Sequence, residues 1–147
     1  MKIINKISDF IELRCQISKK IALVPTMGSI HEGHISLVET AKKHGDTVVA
    51  TIFVNPIQFN NTEDYISYPK NFDKDVANLE KNGVDILFCP SLSEVYPDGF
   101  DTTVRVNYLS DCLEGKYRKG HMEGVATIVT KLFNITAPDY AIFGEKD

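Results

Sequence analysis

Two histidines three residues apart, His31 and His34, stand in Val24 to Val38, VPTMGSIHEGHISLV. There an apolar run breaks at Pro25, passes Gly28 and Gly33, and enters a helical pattern. A helix N-terminus carries unpaired backbone N–H groups and the positive end of the helix dipole, so it favours an anion before any side chain is added. Imidazoles add hydrogen-bond donors for phosphate oxygens. The chemistry expected of this stretch is therefore to hold the phosphates of a nucleotide. Two other readings stand beside it. The pair is either incidental to a helix end or half of a metal site, although no third ligand is evident and the glycines would then have no purpose. Gly28 and Gly33 have the spacing of P-loop glycines, but His34 and Ile35 occupy the places of the required lysine and serine or threonine, so this is not a Walker A motif. A GxGxxG fingerprint is absent, which leaves a nicotinamide or flavin reading without support.

Three more residues suit the same chemistry. Lys146 offers a point charge to phosphate, Gln58 an amide, and Arg118 a guanidinium. Singly they read as a solvated lysine, a surface amide and a loop cation; placement around one crevice is what would make them a site. Asp75, near the start of a helical stretch, is a candidate to help hold a magnesium ion bridging phosphate oxygens. Its plainer reading is a favourable charge near a helix N-terminus.

The elements that must position these residues alternate helix and strand. Ser8 or Asp9 is expected to cap a first helix carrying Phe10, Leu13, Cys15 and Ile17 and lying against the sheet edge. Ile21 to Val24 reads as the first strand, closed by Pro25. Gly33 to His44 reads as a helix with Ile35, Leu37, Val38 and Ala41 inward and Gly45 as its stop. Thr47 to Val54, TVVATIFV, lacks polar alternation, as expected of a parallel strand covered on both faces. A polar loop then runs to Tyr68-Pro69. Asn71 is expected to cap a helix with Phe72, Val76 and Leu79 inward, ending at Gly83. Val84 to Phe88 reads as the third strand. Tyr96-Pro97-Asp98-Gly99 is a turn signal, and Thr103 to Val106 reads as a short edge strand or part of a flap. Gly120 to Ala137 is a strong helical pattern, and Tyr140 to Phe143 reads as the fourth strand. The expected fold is a single α/β unit, a Rossmann-like, doubly wound, mainly parallel sheet. With the first three strands laid outward and the fourth returning beside the first, the switch point falls between strands one and four. The loops carrying His31 and His34 and Gly144 to Asp147 would share one crevice, with Gln58 on its rim.

The chain has 147 residues, 43% hydrophobic and 24% charged, which suits one globular core. A formal net charge of -4 supplies no field for nucleic acid or an anionic membrane, so an anionic ligand must be held locally. Cys15, Cys89 and Cys112 form no close pair, which fits a reducing cytoplasm rather than a disulfide framework. The N-terminus does not read as a signal peptide, and no run is long enough to span a membrane.

VPTMGSIHEGHISL resembles the nucleotide-binding signature of the pantothenate synthetase family, within the HxGH nucleotidylyl transferases. IFVNPIQFNNTEDYISYPK, YPDG and LEGKYRKGHMEGVATIVTKLFNITAPDYAIFGEKD are similar to consecutive blocks of that family, so the resemblance covers nearly the whole chain. It implies a two-step ligase: pantoate's carboxylate attacks the α-phosphorus of ATP to give pantoyl adenylate and pyrophosphate, and the amine of β-alanine then displaces AMP. Carried over, Met27, Gly28, Ser29, Ile30, His31, Glu32, Gly33 and His34 would line the ATP phosphates, with His34, His31 and Lys146 doing the charge work. Gly144, Glu145, Lys146 and Asp147 would complete the ATP site, Gln58 would hold pantoate, and Tyr68 and Arg118 would support it. ATP and Mg2+ are implied as ligands, and a homodimer as the assembly.

Lys119 stands where the family usually has proline, and Met122 where it usually has phenylalanine. Family members also continue past FGEKD, so the chain is expected to be an N-terminal portion lacking the C-terminal domain, with impaired turnover and an apolar edge at the fourth strand. The alternatives are another HxGH nucleotidylyl transferase with a different acceptor, or a non-catalytic nucleotide-binding or dimerisation module.

Overall fold

A computed structural model describes residues 1–112 and 114–145. Strands β1 (Lys2–Ile4), β2 (Ile21–Val24), β3 (Thr47–Thr51), β4 (Ile86–Phe88) and β5 (Tyr140–Ala141) form one sheet in the order β1-β4-β3-β2-β5. Every pairing is parallel. Between the strands run α1 (Ile7–Gln16), α2 (Glu32–His44), α3 (Thr62–Ser67), α4 (Phe72–Lys81), α5 (Leu92–Val95), α6 (Glu114–Tyr117) and α7 (His121–Thr136). Among the described residues no helix is long and apolar enough to cross a membrane.

The period of two along a strand divides the core. Ile21 and Leu23 of β2 face a cluster with Phe10 of α1, Val95 of α5, and Ile128 and Leu132 of α7. Ala22 and Val24 face the other way, toward Val38 and Ala41 of α2 and Leu79 of α4. All four β2 residues are fully buried, because helices cover both faces. The sequence reading of a doubly wound sheet with the last strand beside the first is what the pairing β3-β2-β5 gives. Its C-terminal edge is open on the side where chains wound in opposite directions diverge, and the β2–α2 loop leaves from that point.

Several local readings are corrected by long-range contacts. β1 is an additional edge strand, with only Ile4 buried, too short to register as a pattern. α1 starts at Ile7, earlier than Ser8 or Asp9 would cap it, because Ile7 N donates to Glu94 Oε2 of α5 at 2.8 Å. The β3 ladder stops at Thr51 rather than Val54; beyond it Ile52 N bonds Phe88 O while Phe53 N turns to Thr26 O. The polar loop contains α3, which Asn61 caps by accepting from Glu63 N. Asn71 caps α4 as expected, but Phe72 lies 45% exposed while Asp75 is buried in its stead. Thr103 to Val106 joins no strand; Val104 N donates to Thr127 Oγ1 and lays the segment along α7.

Phe10 joins the first helix to the sheet. Its ring lies fully buried, 4.9 Å from that of Phe88. Phe10→Ala is expected to cost about 3–5 kcal/mol through lost burial and a residual cavity. Urea unfolding would read this as a lower midpoint at unchanged slope.

Candidate functional site

The turn between β2 and α2 is built by hydrogen bonds from three directions. At its start Thr26 Oγ1 donates to Thr51 O at 2.6 Å and accepts from Gly28 N at 3.1 Å, which laces the exits of β2 and β3 together. At its middle the chain takes left-handed conformations at two successive residues, Gly28 (φ +86°) and Ser29 (φ +55°). Glycine accepts this freely, and serine only where its surroundings hold it. Asp75 holds it. Its Oδ2 accepts from Ser29 N and its Oδ1 from Ile30 N, both at 2.8 Å, and the residue is 3% exposed. Gly28 also admits this carboxylate, since a Cβ there would lie 3.0 Å from Asp75 Oδ2.

At its end the two histidines close the turn as a reciprocal cap. His31 is the N-cap of α2; its Nδ1 accepts from Gly33 N at 3.1 Å, while His34 Nδ1 accepts from His31 N at 3.3 Å. The rings lie 4.1 Å apart. A neutral imidazole whose Nδ1 accepts a hydrogen bond carries its proton on Nε2. The cap satisfies helix-terminal N–H groups, and in the neutral form of each ring it leaves the N–H at Nε2. Glu32 begins α2, where its charge suits the helix dipole.

Gln58 ends a 3₁₀ turn, Pro56–Gln58, just beyond β3. This turn is pressed against α7 at Gly124, where a Cβ would lie 2.7 Å from Gln58 N and Cα. His121 Nδ1 lies 2.8 Å from Gln58 O. The Gln58 side chain is held by Asn55, whose Nδ2 donates to Gln58 Oε1 and to Gly124 O, each at 3.0 Å. Asn55 is 1% exposed, yet in the sequence it reads only as the end of a strand; a polar side chain before proline was the available signal.

The remaining candidates divide. Tyr68 caps α3 at its C-terminus, edge-on to Phe59 at 5.9 Å. Arg118 lies 3.8 Å from Glu114 and half exposed, on a turn tied to the Gln58 side of the site by Asn60 Nδ2 donating to Lys119 O at 2.6 Å. That contact uses only the carbonyl of Lys119, which a proline would also supply. Met122 packs beside Gly115. Gly144 and Glu145 follow β5, whose exit runs alongside β2 through Ile142 N donating to Leu23 O at 2.9 Å. Lys146 and Asp147 lie outside the described residues. A cleft of about 260 Å³ opens beside the turn, lined by Met27, Gly28, Phe53, Tyr65, Lys70 and Asp75 among others, and it includes neither histidine.

Asp75 serves as a backbone anchor: each of its oxygens accepts one hydrogen bond from the loop, Oδ2 from Ser29 N and Oδ1 from Ile30 N. Among the described residues no three His, Cys, Asp or Glu side chains cluster as metal ligands. Asp75→Ala would leave the Ser29 and Ile30 N–H groups without their acceptors, at about 1–3 kcal/mol each. The expected outcome is roughly 10- to 100-fold faster hydrogen exchange at those two amides, read by NMR, with protection of β3 unchanged.

The profile of the family described as pantoate-beta-alanine ligase matches residues 2–147. The pantothenate synthetase of Aliivibrio salmonicida is 51% identical over 148 residues, covering 95% of this chain and 50% of that protein. That of Thermoanaerobacter sp. strain X514 is 51% identical over 150 residues, covering 100% of this chain and 53% of that protein. The chain spans about half the length of these curated relatives. Pantothenate synthetase from Thermus thermophilus superposes with a TM-score of 0.92 at 43% identity, over 99% of this chain and 52% of that one. The pantoate-beta-alanine ligase of Francisella tularensis, solved in complex with beta-gamma ATP and beta-alanine, also gives 0.92 at 43% identity, over 96% of this chain and 55% of that one. With the fold, the turn and the profile in agreement, the chain belongs to the pantoate-β-alanine ligase family.

Proposed function

We propose that this chain carries the nucleotide grip of an ATP-dependent ligase that joins pantoate to β-alanine. The observation that supports it most is the reciprocal histidine cap, which directs two imidazole donors from the start of α2 at the switch point of the sheet. The Francisella relative's complex with beta-gamma ATP and beta-alanine supports the choice of substrates.

The reaction needs no enzyme nucleophile. A carboxylate oxygen of pantoate attacks the α-phosphorus, the bond to the bridging oxygen breaks, and pyrophosphate leaves. The amine of β-alanine then attacks the acyl carbon, the bond to the phosphate oxygen breaks, AMP leaves and the amine gives up a proton. The protein's work is to orient the reactants and to meet the charge that develops on phosphate oxygens. Met27 to Gly33 form the backbone cradle, and the Nε2–H groups of His31 and His34 donate to phosphate oxygens. Gly144 and Glu145 approach from the other loop of the crevice, with Lys146 and Asp147 completing that side. Gln58 meets pantoate, and Tyr68 and Arg118 flank it. Magnesium comes with the triphosphate, and no step is assigned to it. The same reading has a homodimer working in the cytoplasm.

Titration calorimetry of this chain with ATP tests the grip. His34→Ala is expected to weaken ATP binding about tenfold, equivalent to about 1.4 kcal/mol, and His34→Ala with Lys146→Ala about a hundredfold. Thermal unfolding of each variant separates this from loss of the cap, which by itself is worth about 1 kcal/mol of stability. Equal ATP affinity in the folded variants and the parent chain would refute the assignment.

A further inference from the structure

The Tyr96-Pro97-Asp98-Gly99 turn lies outside the phosphate loop, yet it is closely held. Gly99 takes φ +81° and Phe100 N donates to Pro97 O at 3.0 Å, which folds the chain back so that the Phe100 ring lies 4.8 Å from that of Tyr96. Lys131 of α7 places its ammonium 4.4 Å from the Phe100 ring centroid and 5.4 Å from that of Tyr96. Phe53 closes the other side at 6.0 Å. All of this holds one hydroxyl: Tyr96 OH donates to Asn55 Oδ1 at 2.7 Å. Burial raises the Tyr96 phenol well above its ordinary pKa, so the group stays a donor throughout the physiological range.

The chain of donors has a direction. Asn55 gives one Nδ2 hydrogen to Gly124 O and the other to Gln58 Oε1, and receives the tyrosine hydroxyl on Oδ1. Reversing the Asn55 amide would set its oxygen against the Gly124 carbonyl, and reversing Gln58 would set two amide nitrogens face to face. With Gln58 Oε1 turned to Asn55, Nε2 is the end of the amide presented to a ligand. We infer that Tyr96 is a positioning residue: acting through Asn55, it fixes the Gln58 amide as a hydrogen-bond donor and so tunes the site for a ligand oxygen, as in a carboxylate or hydroxy acid. The ligand half of this inference rests on the proposed function; the orientation of Gln58 does not.

The test uses the ¹⁵N-labelled chain, with pantoate as probe in the presence of ATP. Tyr96→Phe keeps the ring and removes only the hydroxyl. It is expected to shift the side-chain amide resonances of both Asn55 and Gln58 and to weaken pantoate binding about tenfold, with ATP affinity within twofold of the parent. Phe100→Leu loosens the same aromatic cluster but keeps the hydroxyl, and is expected to lower stability while leaving the Gln58 amide resonances in place. Unchanged Gln58 resonances in Tyr96→Phe, or equal shifts in Phe100→Leu, would overturn the inference. If the Gln58 amide responds as expected but the parent chain binds no pantoate, the positioning role is upheld and the substrate reading fails instead.

Discussion

One buried carboxylate sets the shape on which the rest of the site depends. Asp75, on α4, reaches across to the loop after β2 and accepts the N–H groups of Ser29 and Ile30. Charge-assisted bonds of this kind contribute on the order of 1.5–3 kcal/mol each, enough to hold Ser29 in a left-handed conformation that costs roughly 1–3 kcal/mol. The turn that results delivers His31 to the N-cap position of α2, with its ring over Gly33. A negative group close to a proposed phosphate site looks unfavourable. Here it is engaged by backbone donors, so its charge is met locally and its effect on the site is geometric.

A similar arrangement holds the turn after β3. Gln58 is aimed by Asn55, which is in turn aimed by Gly124 and Tyr96. Both loops proposed for the site are therefore shaped by polar groups on elements far away in the chain. Satisfied networks of this type rigidify a site, and each member matters more than its own contact suggests. The lacing of Thr26 to Thr51 joins the two loops at their base.

Much of this was legible in the sequence, and the rest was hidden for a physical reason. The apolar runs at 21–24 and 47–51 and the helical pattern of α7 report burial, which is a local property, so they gave the doubly wound sheet and its switch point. His31, His34 and Gln58 could be singled out because they follow strand ends. What composition could not give was partnership across the fold: the capping of α1 by Glu94, the turning inward of Asp75 and the use of Asn55 and Tyr96. The residue type of Asp75 suits a magnesium ion or a helix N-terminus, whereas its bond to Ser29, 46 positions away, carries no sequence pattern. Family resemblance supplied the substrates, which no amount of periodicity could.

The histidine cap is the central claim, and ring-nitrogen NMR tests it most directly. A long-range proton–nitrogen correlation spectrum of the ¹⁵N-labelled chain reports the tautomer of each imidazole. The account predicts Nε2–H with an accepting Nδ1 at both His31 and His34, and ATP moving the Nε2 signals while the Nδ1 signals stay in place. A protonated Nδ1 on either neutral ring, or rings that ATP leaves undisturbed, would contradict it.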